Sequence, residues 1–131
     1  MPDNFRFEFD RLLEEKYSVI YKATEVVFWE GDEAKYFYVI LEGLVEVRKR
    51  LEDGNNFSLS VLKPGDFFGE MALLNDLPRS GTAVAKERTK LLAFSQAQLE
   101  SVLVANPKFA MKMIRVLCER VRKLSDILEK R

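Results

Sequence analysis

The sequence contains no histidine and only one cysteine, Cys118. Without histidine the chain lacks the most common general acid–base residue and the most common metal ligand, and no cysteine or carboxylate cluster replaces it. We therefore expect no catalytic residues, no metal site and no enzymatic activity. A single cysteine excludes a disulfide within the chain and favours a cytoplasmic location. No apolar run is long enough to span a bilayer, so we expect no contact with a membrane.

The charges balance, with 21 basic and 21 acidic residues and a formal net charge of zero at pH 7. This balance argues against direct nucleic acid binding. The distribution is uneven, because residues 107–131 contain eight basic and three acidic residues. A solvated helix face would explain this basic segment, and so would a docking surface for an acidic partner. The length of 131 residues and the hydrophobic content of 47% suit a single globular domain, residues 1–131.

The chain changes pattern twice. In residues 1–17, Phe5 and Phe9 have helical spacing, although Phe5-Phe7-Phe9 can also be read as a strand. Residues 18–95 contain short apolar runs separated by Gly, Pro, Asp and Asn, which predicts a barrel or jelly roll. The strands are expected at 18–22, 26–29, 36–41, 44–50, 57–62, 81–86 and 90–94, with a hairpin turn at Asp53-Gly54-Asn55-Asn56.

Residues 96–131 have a helical pattern. Ser95 is placed to cap a short helix over 96–103, and Pro107 is placed at the first position of a long helix. Neither glycine nor proline interrupts residues 108–131. We therefore expect two C-terminal helices after the strands.

The most informative stretch is Phe68-Gly69-Glu70-Met71-Ala72-Leu73, followed by Pro78-Arg79-Ser80-Gly81. Gly69 has no Cβ and lets the backbone approach a ligand. The amides that follow it would begin a short helix, where an anion is favoured. Arg79 offers a planar fork of donors for phosphate oxygens, and Glu70 can accept a ribose hydroxyl.

This stretch resembles the phosphate-binding cassette of the cyclic nucleotide-binding domain family, and we call residues 67–81 the cassette. The resemblance implies a mainly β, α+β fold: an antiparallel β-roll or jelly roll with an N-terminal helix, a short cassette helix and a long C-terminal helix. It implies a cyclic nucleotide as ligand, with cyclic AMP favoured and cyclic GMP possible, since Ser80 does not distinguish the bases. The implied ligand-binding residues are Phe68, Gly69, Glu70, Met71, Ala72, Arg79 and Ser80.

The long helix has two apolar rows. One is a heptad stripe, and the other lies beside it. The stripe is Ala110, Ile114, Leu117, Val121, Leu124 and Leu128, and the second row is Phe109, Met113, Val116 and Ile127. We expect one row to pack on the β-roll and the other to form a homodimer, although both rows could pack on the chain's own domain.

Three residues of this helix are candidates for base contacts or for coupling. Arg120 falls inside the apolar arc, where a charge needs a partner, and we expect that partner to be Glu70. An exposed Arg120 whose stem covers apolar surface is the alternative. Leu124 and Ser125 are the candidates for capping the base, and an ordinary surface role for Ser125 is equally compatible.

Two positions depart from the family pattern. Gly81 stands where the family more often has alanine, which should loosen the start of the strand. Leu124 stands where activator-like relatives can have a hydroxyl, which weakens the case for strong adenine selection. The sequence thus predicts a regulatory sensor that acts on an unknown downstream effector. The alternatives are a nucleotide-free structural dimerisation module, and the sensor fragment of a longer transcription regulator, since no helix-turn-helix follows Arg131.

Overall fold

The computed structural model describes the backbone of residues 11–129 and the side chains of residues 13–129. It divides the chain into two compact units, one that ends at Leu99 and one that begins at Glu100. The first helix, α1 (Arg11–Tyr17), agrees with the predicted N-terminal helical segment over the described residues. The ambiguous Phe5-Phe7-Phe9 stretch lies outside them.

The described part of the first unit contains eight strands in two antiparallel sheets. The sheet orders are β1-β8-β3-β6 and β2-β7-β4-β5. The strand bounds are β1 (Ser18–Tyr21), β2 (Val26–Phe28), β3 (Phe37–Glu42), β4 (Val45–Arg50), β5 (Asn56–Leu62), β6 (Phe67–Phe68), β7 (Thr82–Ala85) and β8 (Thr89–Phe94). The predicted antiparallel β-roll is therefore confirmed, and the seven predicted strands are present. The two-residue strand β6 was not predicted.

The two sheets share one hydrophobic core. Tyr38, Ile40, Phe68 and Leu91 contribute from the first sheet, and Val45 and Ala83 contribute from the second. The alternate residues of β3 are also buried, so β3 is covered on both faces. The ring of Tyr17 in α1 lies 5.0 Å from that of Phe94 in β8. Burial on this scale supplies the main stabilisation of the β-roll.

Strand β5 is the last strand of the second sheet and contains a β-bulge. Ser60 pairs with Val47 and Ser58 pairs with Arg48, so Leu59 is an extra residue. The bulge interrupts the alternation that the sequence suggests for β5. The turn before β5 was predicted correctly: Gly54 has a φ of 89°, and the amide of Leu51 donates to the carbonyl of Asn55 at 2.8 Å.

The short helix α2 (Glu70–Leu74) lies between β6 and β7, and two helices follow the strands: α3 (Gln96–Ala105) and α4 (Pro107–Glu129). Ser95 caps α3 as predicted, because its hydroxyl accepts from the amide of Gln98 at 3.2 Å. The Gln98 side chain in turn accepts from the amide of Ser95 at 2.8 Å, which completes a capping box. Helix α4 begins at Pro107, also as predicted. No described helix is both long and apolar enough to cross a membrane.

Helix α4 differs along its length in how much of its apolar surface is covered. Phe109 and Met113 near its start are buried, whereas Val121, Leu124 and Leu128 are more than 60% exposed. The C-terminal half of the heptad stripe is therefore open to solvent in the single chain. Arg120 is half-buried on the same helix.

Candidate functional site

The cassette backbone turns sharply at Gly69. Strand β6 pairs with β3, with Phe68 opposite Tyr38, and the chain then enters helix α2 (Glu70–Leu74). Gly69 has a φ of 86°, a left-handed conformation that glycine adopts without a steric penalty. The first amides of a helix have no acceptor within it, so the turn directs donor groups to the start of α2. The short helix after the glycine agrees with the prediction.

The guanidinium of Arg79 connects the cassette to the loop before β3 by hydrogen bonds. Its Nη1 donates to the carbonyl of Gly69 at 2.9 Å, and its Nη2 donates to the carbonyl of Tyr36 at 2.6 Å. Arg79 is only 4% exposed. These two bonds to backbone carbonyls hold the arginine beside the first turn of α2.

Aromatic rings form one wall of the arginine site. The Cζ atom of Arg79 lies 4.0 Å from the ring centre of Phe28 and 5.9 Å from that of Tyr38. The ring of Tyr38 stacks on that of Phe68 with their centres 5.1 Å apart. Cations are attracted to such ring faces, most strongly where water is excluded. The wall therefore helps to offset the cost of burying the guanidinium.

The electrostatics around Arg79 are only partly balanced. Burial lowers the pKa of Arg79, whereas Tyr38, Asp32 and Glu70 act on it in the opposite direction. The guanidinium still remains charged at any ordinary pH. Its Nε–H is buried and finds no hydrogen-bond partner among the described residues. A buried cation with an unused donor is costly unless an acceptor arrives, so the site has the chemistry of an anion receptor.

The backbone of Arg79 is also fixed on both sides. Its amide donates to the carbonyl of Asp32 at 2.8 Å, and its carbonyl accepts from the amide of Gly31 at 2.8 Å. Next to it, the carbonyl of Ser80 accepts from Nζ of Lys49 at 3.1 Å. Strand β4 and the loop after β2 thus hold the arginine segment in place.

The structure brings several predicted ligand residues together and leaves others at the surface. Phe68, Glu70, Ala72 and Arg79 are buried around the first turn of α2, and Gly69 beside them is half-buried. Met71 is 67% exposed, and Ser80 is exposed. The binding roles of these residues stay predictions, as do those of Arg120, Leu124 and Ser125 on α4, including the expected contact of Arg120 with Glu70.

Gly81 allows close packing that the sequence did not predict. A Cβ atom at this position would lie 2.8 Å from the carbonyl oxygen of Arg48 and 3.2 Å from a methyl group of Val47. Gly81 is buried. The glycine therefore permits close packing on β4, and its expected loosening of the start of the strand stays a prediction.

Sequence reasoning missed the residues that surround Arg79. Phe28 was assigned only to a strand, and Tyr36 contributes a carbonyl that any residue could supply. Lys49 had no signal beyond its place in a basic strand. The contacts of Phe28 and Lys49 depend on the pairing of β7 with β2 and β4 in the second sheet, and a single sequence does not reveal which distant strands pair.

Comparisons with known proteins agree with this geometry. The sequence model of the cyclic nucleotide-binding domain matches residues 18–106. The chain is 28% identical over 102 residues to the CRP-like cAMP-activated global transcriptional regulator of Mycobacterium tuberculosis, covering 78% of this chain and 46% of the regulator. It is 35% identical over 103 residues to the cAMP-dependent protein kinase regulatory subunit of Yarrowia lipolytica, covering 79% of this chain and 27% of the subunit.

A solved structure shows the same architecture. The catabolite activator protein of Thermus thermophilus superposes with a TM-score of 0.79 at 29% identity, covering 90% of this chain and 56% of the activator. The chain spans about half the length, or less, of these curated relatives. Because the family match covers most of the chain and includes the whole cassette, the chain belongs to the cyclic nucleotide-binding domain family.

Proposed function

We propose that this chain is a sensor domain that binds a 3′,5′-cyclic nucleotide, with cyclic AMP as the favoured ligand, and transmits binding to helix α4. The observation that carries the proposal is the buried Arg79, whose Nε–H lacks a partner among the described residues and whose guanidinium lies beside Gly69. A cyclic phosphate carries one negative charge and suits this receptor. The first amides of α2 would supply further donors to the same anion.

The remaining cassette residues have complementary tasks in this proposal. Glu70 would accept a hydroxyl of the ribose, and Ser80 would donate its hydroxyl to the phosphate or to a guanine edge. Phe68 and Ala72 would shape the floor of the site, and Met71 would cover it from solvent. Leu124 and Ser125 would contact the base, and Arg120 would couple Glu70 to α4.

Cyclic AMP is favoured because the two curated relatives are named for it. Cyclic GMP remains the alternative, since Ser80 has a hydroxyl that can serve either base. Calorimetric titration of the 131-residue protein with each nucleotide ranks them directly. We expect tighter binding of cyclic AMP, and tighter binding of cyclic GMP would reverse the assignment.

The same titration tests the role of the arginine. Arg79→Lys keeps the charge but loses the planar fork, and it should weaken cyclic AMP binding at least about tenfold, because a charge-assisted hydrogen bond contributes about 1.5–3 kcal/mol. Arg88→Lys is the matched control at an exposed arginine and should change affinity by less than about twofold. Melting temperatures of the ligand-free variants show whether Arg79→Lys still folds. If the parent protein gives neither heat nor a thermal shift with either nucleotide, the sensor proposal fails.

We also propose that α4 pairs with the same helix of a second copy. The exposed Val121, Leu124 and Leu128 continue the heptad stripe, and such a stripe matches the seam of a two-stranded coiled coil. A ligand that prefers one arrangement of the cassette and α4 would shift the population between two states. The downstream effector of that shift is unassigned, and we expect it to be a protein rather than a nucleic acid.

Sedimentation analysis tests the dimer. Val121→Glu places a charge in the stripe and should give a monomer. Lys123→Glu introduces the same side chain two residues later, off the stripe, and should leave the parent's oligomeric state unchanged. A parent protein that sediments as a monomer, both with and without cyclic AMP, would contradict the dimer.

Two alternatives have support of their own. The exposed apolar stripe would also serve a nucleotide-free structural dimerisation module, which the titration distinguishes from a sensor. The partial coverage of the relatives is compatible with the sensor fragment of a longer transcription regulator. In each case the role is regulatory and not enzymatic. The single, exposed Cys118 favours a reducing compartment, and we propose the cytoplasm.

A further inference from the structure

The side chain of Lys49 on β4 joins two separate segments. Its Nζ donates to Oε2 of Glu30 at 3.0 Å and to the carbonyl of Ser80 at 3.1 Å. The other carboxylate oxygen of Glu30 accepts from the amide of Arg50 at 3.0 Å. Glu30 is therefore held against β4 by one side-chain donor and one main-chain donor.

These two segments also hold the backbone of Arg79. The residue after Glu30 is Gly31, whose amide donates to the carbonyl of Arg79, and the amide of Glu30 donates to the hydroxyl of Thr82 at 2.8 Å. Ser80 directly follows the arginine. Lys49 thus connects β4 to Ser80, which follows Arg79, and to Glu30, whose neighbour Gly31 bonds the Arg79 carbonyl, whereas the guanidinium itself donates to Gly69 and Tyr36.

The close approach of β4 depends on Gly81. Any side chain at this position would push against the carbonyl of Arg48, because a Cβ would lie only 2.8 Å from that oxygen. The glycine thereby keeps Ser80 within reach of Lys49. Gly81 and Lys49 act together on the same short segment.

We propose that Lys49, through Glu30 and Ser80, is a positioning residue for the anion-binding arginine; this inference rests on the proposed function. An exposed ion pair contributes little to folding stability by itself. Here the amine also fixes a backbone carbonyl next to Arg79, and small displacements of a charge-assisted hydrogen bond are costly in binding. Lys49 therefore affects ligand affinity more than it affects the stability of the fold.

The experiment uses a matched pair of lysines. The side chains of Lys49 and Lys86 are both 45% exposed, and each lies beside a glutamate, but Lys86 approaches Glu46 at 3.8 Å away from the arginine segment. In calorimetric titrations with cyclic AMP, Lys49→Met should weaken binding about fivefold to tenfold, and Lys86→Met should change it by less than twofold. Equal affinities of the two variants would overturn the proposal.

A third variant separates positioning from simple attraction of the ligand's charge. Glu30→Gln removes a negative charge, so general electrostatics predicts tighter binding of the anionic nucleotide. Positioning predicts weaker binding, by about twofold to fivefold, because Lys49 loses the carboxylate that orients it. Tighter binding by Glu30→Gln would overturn the proposal in favour of charge attraction. The double variant with Glu30→Gln and Lys49→Met should bind cyclic AMP no more weakly than Lys49→Met alone, because both changes break the same contact between Lys49 and Glu30.

A ligand-free measurement distinguishes a failure of this inference from a failure of the proposed function. The amides of Gly31 and Arg79 are hydrogen-bonded across the arginine segment, so their hydrogen exchange reports how firmly the segment is seated. Lys49→Met should accelerate their exchange at least fivefold without nucleotide, and Lys86→Met should not. Unchanged exchange in Lys49→Met would overturn the proposal. If exchange accelerates but the parent binds neither nucleotide, the positioning role stands and the sensor function fails.

Discussion

Arg79 lies over the face of Phe28, with its Cζ atom 4.0 Å from the ring centre. Phe28 ends β2 and Arg79 lies between α2 and β7, so the antiparallel pairing of β2 with β7 in the second sheet brings these two residues together. The ring of Phe28 also lies 6.0 Å from those of Tyr38 and Phe68. The cation is thus held between an aromatic wall on one side and two backbone carbonyls on the other.

Replacing Phe28 by leucine removes the ring face and keeps an apolar side chain. We expect Phe28→Leu to weaken cyclic AMP binding about threefold to tenfold, because a cation–π contact contributes about 0.5–2 kcal/mol as it becomes desolvated. Calorimetry measures the change. Phe57→Leu, at a phenylalanine that is 55% exposed on β5, is the control and should bind like the parent. Equal losses in both variants would mean that the wall has no special role.

Gly69 and Gly54 provide a comparison of two glycines with similar backbone angles. Their φ values are 86° and 89°, so alanine at either position incurs the left-handed penalty of about 1–2 kcal/mol. Only at Gly69 would the added Cβ meet Arg79, at 2.7 Å from Nη1; at Gly54 nothing lies within 4 Å. We expect similar losses of stability in urea unfolding, but a further loss of nucleotide affinity in Gly69→Ala alone. Unaltered binding by a folded Gly69→Ala protein would show that Arg79 does not need this clearance.

Tyr38 should make the fold sensitive to alkaline pH. Burial raises the pKa of Tyr38 above its usual value of 10.0, so the folded state retains the phenolic proton more strongly than the unfolded chain. The stabilisation is complete below about pH 10 and is lost as the pH rises through the folded-state pKa. Urea midpoints between pH 8 and pH 11 should fall less steeply above pH 10 in Tyr38→Phe than in the parent. Tyr36→Phe, at an exposed tyrosine, is the control and should lose stability with pH as steeply as the parent. If Tyr38→Phe also loses stability as steeply as the parent, ionisation of Tyr38 is not the cause.

The capping box of α3 should contribute measurably to stability. Ser95→Ala removes the hydroxyl that accepts from the amide of Gln98, and the expected loss is about 0.5–2 kcal/mol in the free energy of unfolding. The measurement is chemical denaturation followed by helical circular dichroism. Gln96→Ala, at the exposed first residue of the same helix, should have a much smaller effect. A loss of comparable size in Gln96→Ala would indicate that the helix, not its cap, is being measured.

Local chemistry explains which parts of the fold could be predicted from the sequence. The cap at Ser95, the start at Pro107 and the turn at Gly54 each depend on a few neighbouring residues. Strand β6 was missed because two residues carry no periodic signal, and the bulge at Leu59 was missed because it breaks the alternation from which strands are recognised.

The residues of the candidate site also fall into those that the sequence predicted and those that it did not. The sequence pattern identified Gly69 and Arg79 as parts of one cassette, and the structure places them 2.9 Å apart as acceptor and donor. It did not identify Phe28, Tyr36 or Lys49, because their contacts with the arginine segment arise between parts of the chain that are distant in sequence; β7 pairs with both β2 and β4 in the second sheet. The close packing at Gly81 was not predicted for the same reason.

The bulge in β5 changes the outer edge that this strand presents to other molecules. The strand Asn56–Leu62 contains no charged residue and no proline, and Phe57, Leu59 and Val61 are each more than half exposed. A regular strand of this composition at the end of a sheet would offer an outer edge to any passing strand. The extra residue at Leu59 bends β5, so a strand of another molecule that paired with its outer edge would lose register after a few residues. The bulge therefore opposes edge-to-edge pairing of β5, as charged side chains do on other edge strands.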